Sequence, residues 1–222
     1  MATSLPPLTL YQNWRSSAAW RVRWALLQKG LPFESVWVNL FTGEHREPEH
    51  LSRSPLGAVP ALRVGDRYLS ESVAIFEWLE EVAPSPALYP RDPWVRARVR
   101  QCVELVNSQI HPLQSLRVRL HLSPDEAVQH AWNNHFNTLG LVALERLVQS
   151  VDADVGRGRF TVGDSLTAAD LFLVPQLEHA RRFGVDMAKL PRLVAAEAAA
   201  LASPHAAAAL PSNQPGFTRQ VQ

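Results

Sequence analysis

Near the start of the chain, apolar residues alternate with polar ones or cluster in two short stretches, residues 8–11 and 33–40. Both stretches are rich in residues that favour strands, so each predicts a β-strand. Between them, residues 17–29 carry Trp20, Trp24 and Leu27 at the spacing of one helix face. The pattern therefore predicts the order strand, helix, strand.

A hairpin and a helix are predicted next. Residues 58–64 and 67–70 favour strands and are separated by Gly65-Asp66, a pair typical of a tight turn. Helical spacing returns from Ser72 to Val82. Residues 83–93 then hold four prolines in eleven positions, which no helix or central strand tolerates. We expect an α/β domain in residues 1–87 that ends in this proline-rich linker.

Beyond the linker the apolar spacing is helical, which predicts an all-α domain over residues 93–222. One long helix is expected to reach Ile110, and a second is expected from Pro124 to about Ser150. The apolar positions that suggest these two helices are Val95, Val99, Cys102, Val106 and Ile110, followed by Val128, Trp132, Phe136, Leu139 and Leu147.

The rest of this domain is predicted from helix start and stop signals. Residues 156–163 are expected to form a loop. Thr167 and Asp170 precede an apolar run and resemble a capping box, in which the N-cap side chain and the N3 residue bond each other's main chain. The alanine-rich residues 194–210 predict a helix that is interrupted at Pro204.

Charge and hydropathy argue against nucleic acid and membranes as partners. Twenty-two basic and 21 acidic side chains leave a net charge of +1, too little for a long-range field. No apolar run approaches the ~20 residues that span a bilayer. Residues 1–7 lack the basic and apolar regions of a secretory signal. We therefore expect a cytoplasmic protein.

Cysteine and histidine usage argues against disulfides and metal sites. Cys102 is the only cysteine, so no intramolecular disulfide can form, which suits a reducing compartment. The eight histidines are scattered. His130 and His135 are five positions apart, which places them about 140° apart around a helix instead of on one face. No metal site is expected.

Arginine fills almost every basic position, because Lys29 and Lys189 are the only lysines among the 22 basic residues. Codon usage alone is one explanation. The other is chemical, since a guanidinium presents a rigid fork that binds carboxylates through two bonds, whereas lysine is a point charge.

The segment WRSSAAWRVRWAL, residues 14–26, resembles the serine-containing signature of zeta-class glutathione transferases, the family of maleylacetoacetate and maleylpyruvate isomerases. The resemblance implies a glutathione transferase fold, with a thioredoxin-like α/β domain followed by an all-α domain, and a homodimer. It covers nearly the whole chain. Further matching stretches follow in the family's order at residues 58–62, 71–72, 111–114, 163–171, 174–176 and 180–186.

Glutathione is the cofactor that the resemblance implies, and its thiol must be held as a thiolate at neutral pH. Ser16 stands between the first strand and the first helix, where its hydroxyl can donate to the sulfur while the helix N-terminus favours the negative charge. Ser16 is equally suited to cap the helix, and Ser17 is the neighbouring alternative for the thiol. Serine cannot act as a base here, because its own pKa is far too high.

The same resemblance implies which residues hold the rest of glutathione. A cis bond at Pro60 would let the main chain of Val59 pair with the cysteinyl main chain. Ser72, at the start of a helix, would bind the γ-glutamyl carboxylate, and Glu71 its ammonium. Glu71 is also suited simply to favour the helix dipole. His45 is expected to donate to the glycine carboxylate, with a surface position as its alternative.

Three arginines are the candidates for a dicarboxylate substrate. The reaction that the resemblance implies is thiolate addition to a cis double bond, rotation about the resulting single bond, and elimination to the trans product. The resemblance places Arg182 at a substrate-side arginine of the family and Arg117 where maleylpyruvate isomerases carry arginine, and Arg15 adjoins Ser16. Such guanidiniums would bind the two carboxylates and stabilise the charge that develops. His111 is expected to bind glutathione or to donate across a dimer cleft. For all four, an ordinary surface or capping role is the alternative.

One position departs from the family's motif. Ala18 stands where maleylacetoacetate isomerases generally carry cysteine, so glutathione remains as the nucleophile. Three functions stay open at this point: an isomerase of maleyl keto acids, a transferase or dehalogenase that conjugates glutathione to small electrophiles, and a glutathione-binding module without catalysis. Arg21 and Arg23, two positions apart on one helix, point to different faces and are expected to serve structure, one of them by pairing with an acid of the other domain.

Overall fold

Four short strands form a mixed sheet near the start of the chain. Strand β1 (Leu8–Gln12) runs parallel to β2 (Glu34–Trp37) and antiparallel to β3 (Ala61–Val64), and β4 (Arg67–Ser70) pairs antiparallel with β3. All five residues of β1 are buried, as expected for a central strand. The predicted strands and the hairpin are confirmed.

Helices pack with this sheet in the first of two compact units. Helix α1 (Ser17–Gln28) packs against α3 (Ser72–Val82), and both were predicted from their spacing. A short helix, α2 (Pro48–Arg53), lies between β2 and β3 and was not predicted, because its six residues bury only His50 and so carry no apolar period. The computed structural model describes residues 5–217, and the first unit comprises residues 5–87 together with 204–217.

The sequence predicts two domains, residues 1–87 and 93–222. In the structure, residues 204–217 instead group with the first unit. Helix α9 (Ala206–Ala209) packs against α1, where the buried Arg23 guanidinium donates to the Ala209 carbonyl from Nε at 3.0 Å and from Nη2 at 2.7 Å. Arg23 also bonds the Gln12 side chain. Its partners are therefore a carbonyl and an amide, and the acid expected from the sequence is not among these bonds.

The second unit, residues 88–203, is helical. The predicted long helix is α4 (Pro93–Glu104) followed by π-helical turns at Leu105–Ile110, which end with the His111 N–H bonded to the Val106 carbonyl at 2.9 Å. The remaining helices are α5 (Leu116–Leu122), α6 (Glu126–Val155), α7 (Ala168–Arg182) and α8 (Pro191–Leu201). Helix α5 was not predicted, because none of its seven residues is buried.

Helix α7 forms the centre of the second unit. Eleven of its 15 residues are buried, and it packs against α4, α6 and α8. The predicted capping box is present at its start. The fully buried Asp170 carboxylate accepts hydrogen bonds from the main-chain N–H and the hydroxyl of both Thr161 and Thr167 at 2.6–3.1 Å.

The face that α6 buries is not the one predicted. Val128 and Leu139, two members of the expected apolar stripe, are 42% and 60% exposed. The first half of the buried face is instead a row of amides, Gln129, Asn133 and Asn137, spaced four residues apart. The apolar spacing therefore found the helix but assigned its early turns to the wrong side.

Candidate active site

Ser16 connects β1 to α1. Its backbone is extended, with φ −79° and ψ 115°, and its hydroxyl accepts from the Ala19 N–H at 3.1 Å, so it caps the helix. The same hydroxyl donates to the Val59 carbonyl at 3.3 Å. Ser17, the alternative candidate, is buried in the first turn of α1. Ser16 thus links the N-terminus of α1 directly to the segment before β3.

Asn13 shapes the turn that carries Ser16, and sequence reasoning missed it. This fully buried side chain donates to the Val38 carbonyl at 2.9 Å and accepts from the Arg15 N–H at 3.0 Å. Its own carbonyl accepts from the Ser16 N–H at 3.1 Å. An asparagine between a predicted strand and a predicted helix is the only signal in the sequence, and ordinary turns share that signal.

Strand register brings three predicted segments to one end of the sheet. Tyr11 pairs with Ala61, and Ala61 pairs with Ser70. The end of β1, the Val59–Pro60 segment before β3 and the Glu71–Ser72 segment after β4 are therefore neighbours. The Val59–Pro60 peptide bond is cis, as the resemblance implies.

Glu71 has a strained backbone, with φ 69° and ψ 115°. Such a conformation costs a non-glycine residue about 1–3 kcal/mol and persists where the surrounding structure imposes it, often at binding sites. Among the described residues, the Glu71 side chain makes no capping bond to α3, and its charge at the start of that helix still suits the helix dipole. Ser72, the first residue of α3, is buried.

His45 lies in a short 3₁₀ turn, Glu44–Arg46, that packs against Gly57. Gly57 has φ +61°, and a Cβ there would lie 2.6 Å from the His45 carbonyl oxygen, so only glycine fits without a shift. The Nδ1 of His45 is buried. Burial, with smaller effects of Arg46 and His50, lowers the pKa of His45, and a hydrogen bond with the main chain of Asn39 offsets part of that shift.

Arg15 is half-buried beside Ser16. Its guanidinium lies 5.5 Å from the centre of the Phe41 ring, close enough for a cation–π interaction. Burial lowers the pKa of Arg15, but a guanidinium remains protonated at neutral pH. A cation is therefore fixed next to the N-terminus of α1.

The other three predicted residues belong to the second unit. His111 ends the π-helical segment, and its Nδ1 lies 3.2 Å from the Gln114 Nε2. Arg182 is exposed at the end of α7, with its Nη2 3.3 Å from the Nδ1 of His179. Arg117 is exposed on α5. The structure joins His111 and Arg182 to polar partners and leaves Arg117 on the surface.

Within residues 5–217, no group of three or more histidine, cysteine, aspartate or glutamate side chains is placed to hold a metal ion. None of the described helices combines the length and the apolar character needed to cross a bilayer.

Comparisons with known proteins show the family of this chain. Residues 6–81 match the family model of the glutathione S-transferase N-terminal domain. A maleylpyruvate isomerase of Ralstonia sp is 41% identical over 86% of this chain and 91% of its own, and a zeta-class glutathione S-transferase of Euphorbia esula is 42% identical over 96% and 94%.

A solved structure of a relative has the same fold. The maleylacetoacetate isomerase of Anaeromyxobacter dehalogenans, with dicarboxyethyl glutathione and citrate in its active site, superposes with a TM-score of 0.86 at 40% identity, covering 99% of this chain and 98% of its own. The predicted glutathione transferase fold, a thioredoxin-like α/β part followed by a helical part, is confirmed. The chain belongs to the zeta-class glutathione S-transferase family, the family of the maleylacetoacetate and maleylpyruvate isomerases.

Proposed function

We propose that this enzyme is a glutathione-dependent cis-trans isomerase of maleyl keto acids, with maleylacetoacetate or maleylpyruvate as substrate. The observation that carries the proposal is the convergence of Ser16, Val59 and the Glu71–Ser72 segment at one end of the sheet. Relatives with this fold are maleylacetoacetate and maleylpyruvate isomerases, and one holds a dicarboxyethyl glutathione in its active site.

The residues at this end of the sheet fit glutathione. The strained Glu71 and the Ser72 hydroxyl at the start of α3 suit an ammonium and a carboxylate, respectively. The buried Nδ1 of His45 suits a further polar group. When bound, glutathione would supply a thiolate able to add to the cis double bond of the substrate. It would leave again once the resulting single bond had rotated.

Ser16 has one hydroxyl proton to donate, and the Val59 carbonyl accepts it in this structure. A main-chain N–H of the bound tripeptide would replace Ser16 as the donor to Val59, and this exchange frees the Ser16 proton for the sulfur. The Ser16 oxygen can keep its bond from the Ala19 N–H throughout. Ser16 therefore stabilises a thiolate without acting as a base.

Arg15, Arg117 and Arg182 are proposed to bind the carboxylates of the substrate, and His111 to add a further polar contact. A guanidinium holds a carboxylate through two parallel bonds and is charged at every working pH, so it also stabilises negative charge that develops on the substrate. Arg15 is the best fixed of the three, because the Phe41 ring and burial restrict it.

The test is an isomerisation assay with maleylacetoacetate and maleylpyruvate, each with and without glutathione, followed by a count of free thiol. We expect turnover that requires glutathione but does not consume it. Arg117→Ala and Arg182→Ala should lose most activity toward the diacids and little toward a neutral aryl halide, with the exposed Arg146→Ala as the matched control.

Each alternative function predicts a different outcome, in this assay or in a titration of the thiol of bound glutathione. Stoichiometric loss of glutathione would identify a conjugating transferase or dehalogenase. A bound glutathione whose thiol pKa is unshifted would identify a binding module without catalysis. Faster turnover of one keto acid decides which is the better substrate.

We also propose that the enzyme works in the cytoplasm as a homodimer. The lone Cys102 is free and buried, which suits a reducing compartment. Dimerisation follows from the family resemblance, and light scattering of the purified protein tests it.

A further inference from the structure

Four amide side chains form a buried row in the core of the second unit. Gln114 is 3% exposed, and Asn133, Asn137 and Gln176 are fully buried. Buried amides are costly unless they are hydrogen-bonded, and apolar side chains could fill the same volume. The apolar residues Val128 and Leu139 on the outside of α6 show that this helix buries its amides in preference to available apolar side chains.

Three of the four amide side chains bond one another, and Asn133 is joined to them through its main-chain carbonyl. The Gln176 Nε2 on α7 donates to the Gln114 Oε1 at 2.7 Å and to the Asn137 Oδ1 at 2.6 Å. The Gln114 Nε2 returns a bond to the Gln176 Oε1 at 3.3 Å. The Asn137 Nδ2 donates to the main-chain carbonyl of Asn133 at 2.8 Å. We call these four residues the amide ladder.

Backbone carbonyls of α6 fix which way each amide of the ladder points. A carbonyl only accepts, so the Asn137 group that faces the Asn133 carbonyl must be its NH₂. The Asn137 oxygen then faces Gln176, which must offer its own NH₂, and the Gln176 oxygen faces Gln114. The Gln114 NH₂ is thereby directed to the Gln176 oxygen and, at 3.2 Å, to the Nδ1 of His111. His111 must accept at Nδ1 and carry its proton on Nε2.

The other end of the ladder fixes a second histidine in the same way. The Asn133 Nδ2 donates to the Gln129 carbonyl at 2.9 Å, so the Asn133 oxygen is the atom that faces His179, 3.4 Å from its Nε2. His179 must therefore carry its proton on Nε2 and accept at Nδ1. The Nη2 of Arg182, a group that can only donate, lies 3.3 Å from that Nδ1.

We propose that the amide ladder, with His179, is a positioning network that orients His111 and Arg182 for the dicarboxylate substrate. The proposal rests on the function proposed above for these two residues. The carbonyls of α6 set the orientation of Asn137 and of Asn133. The first selects the Nε2–H tautomer at His111 through Gln176 and Gln114, and the second selects it at His179 directly. His179 then holds the Arg182 guanidinium from one side, so that an otherwise exposed arginine is already oriented when a carboxylate arrives.

Two substitutions of His179 separate its two contacts. The oxygen of an asparagine occupies the place of Nδ1, so His179→Asn keeps an acceptor for Arg182. The end of a glutamine occupies the place of Nε2, so His179→Gln keeps the link to Asn133 and loses that acceptor. We use malonate as the dicarboxylate probe and measure its Kd by titration of the glutathione-loaded protein.

We expect His179→Gln to weaken malonate binding about fivefold, the value of one hydrogen bond, and His179→Asn to stay within about twofold of the original chain. Arg182→Ala should weaken malonate binding at least as much as His179→Gln. The Kd of glutathione should be the same in all variants. Equal malonate affinity in the glutamine and asparagine variants, or in Arg182→Ala and the original chain, overturns the proposal.

NMR spectra of the histidine side-chain nitrogens report which ring nitrogen carries the proton. A merely structural role for these residues would not determine that position. At a pH where both rings are neutral, His111 and His179 should each carry the proton on Nε2, and His179→Asn identifies the second signal by its loss. A proton on Nδ1 of either ring overturns the proposal, whatever the activity. If the original chain has no isomerase activity, while the malonate Kd values and the tautomers are as stated, the proposed function is overturned instead.

Discussion

Ser16→Ala tests the central residue of the candidate site. The substitution removes one oxygen that makes two bonds in this structure, from the Ala19 N–H at 3.1 Å and to the Val59 carbonyl at 3.3 Å. Alanine leaves the backbone of the turn in place, because Asn13 holds that turn through the Arg15 and Ser16 N–H groups. The change therefore acts on the hydroxyl alone.

The two roles of Ser16 have different magnitudes. Loss of a serine N-cap lowers the free energy of unfolding by about 1 kcal/mol. A hydrogen bond to a charged group contributes about 1.5–3 kcal/mol, and one pKa unit corresponds to about 1.4 kcal/mol. We therefore expect the thiol pKa of bound glutathione to rise by about 1–2 units in Ser16→Ala. At a fixed pH below that pKa, each unit lowers the thiolate fraction, and with it kcat, about tenfold.

The assay is an ultraviolet titration of the thiolate in the glutathione complex, together with kcat for isomerisation and a denaturant unfolding curve. Ser17→Ala is the matched control, because Ser17 is the adjacent serine and lies buried in the first turn of α1. The control should leave the thiol pKa unchanged. A thiol pKa that stays low in Ser16→Ala and rises in Ser17→Ala would refute the assignment of Ser16.

Three further predictions concern the supports of the site. Gly57→Ala should raise KM for glutathione with little change in kcat, because a Cβ 2.6 Å from the His45 carbonyl must displace that turn; steady-state kinetics measures it. Arg23→Lys should lower the free energy of unfolding by about 2–3 kcal/mol, since lysine cannot form the fork that binds the Ala209 carbonyl; chemical denaturation measures it. The pKa of His45 is lower in the folded chain, so the unfolded chain takes up a proton there at a higher pH. The free energy of unfolding should therefore rise with pH between about pH 5 and 7. Unfolding curves measure it, and the slope should be smaller in His45→Gln.

Local signals account for the parts of the fold that were predicted. Helix α3 begins and ends where its apolar spacing does, at Ser72 and Val82. The hairpin follows from Gly65-Asp66, and the capping box of α7 from Thr167 and Asp170. In each case the residues that decide the structure lie within a few positions of one another, so a single sequence contains the information.

Features that depend on distant partners were missed. Gln114 and Gln176 are 62 positions apart, and Arg23 bonds a carbonyl 186 positions away. The early turns of α6 show the same limit, because Asn133 and Asn137 are buried only where the carbonyls and amides of the surrounding helices can satisfy them. Hydrophobic spacing assumes that amides face water, and here it selected the wrong face.

The candidate site was predicted to a similar degree. Motifs identified Ser16, the Val59–Pro60 bond and the Glu71–Ser72 pair, and strand register places these three segments side by side. Asn13, which shapes the turn, carries no motif of its own. Short motifs therefore located the groups proposed to meet the ligand better than the groups that hold them.

Two positions of the chain bear on whether the protein itself could supply the reacting thiolate. Ala18, in the first turn of α1, replaces the cysteine that the family's motif carries, and Cys102 is the only cysteine in the chain. Burial in α4 raises the pKa of Cys102 to about 12, so its thiol stays protonated at neutral pH. A protein thiolate therefore contributes nothing to the reaction. Any thiolate that adds to the substrate must therefore come from glutathione, and Ser16 is the residue that we propose to lower its pKa.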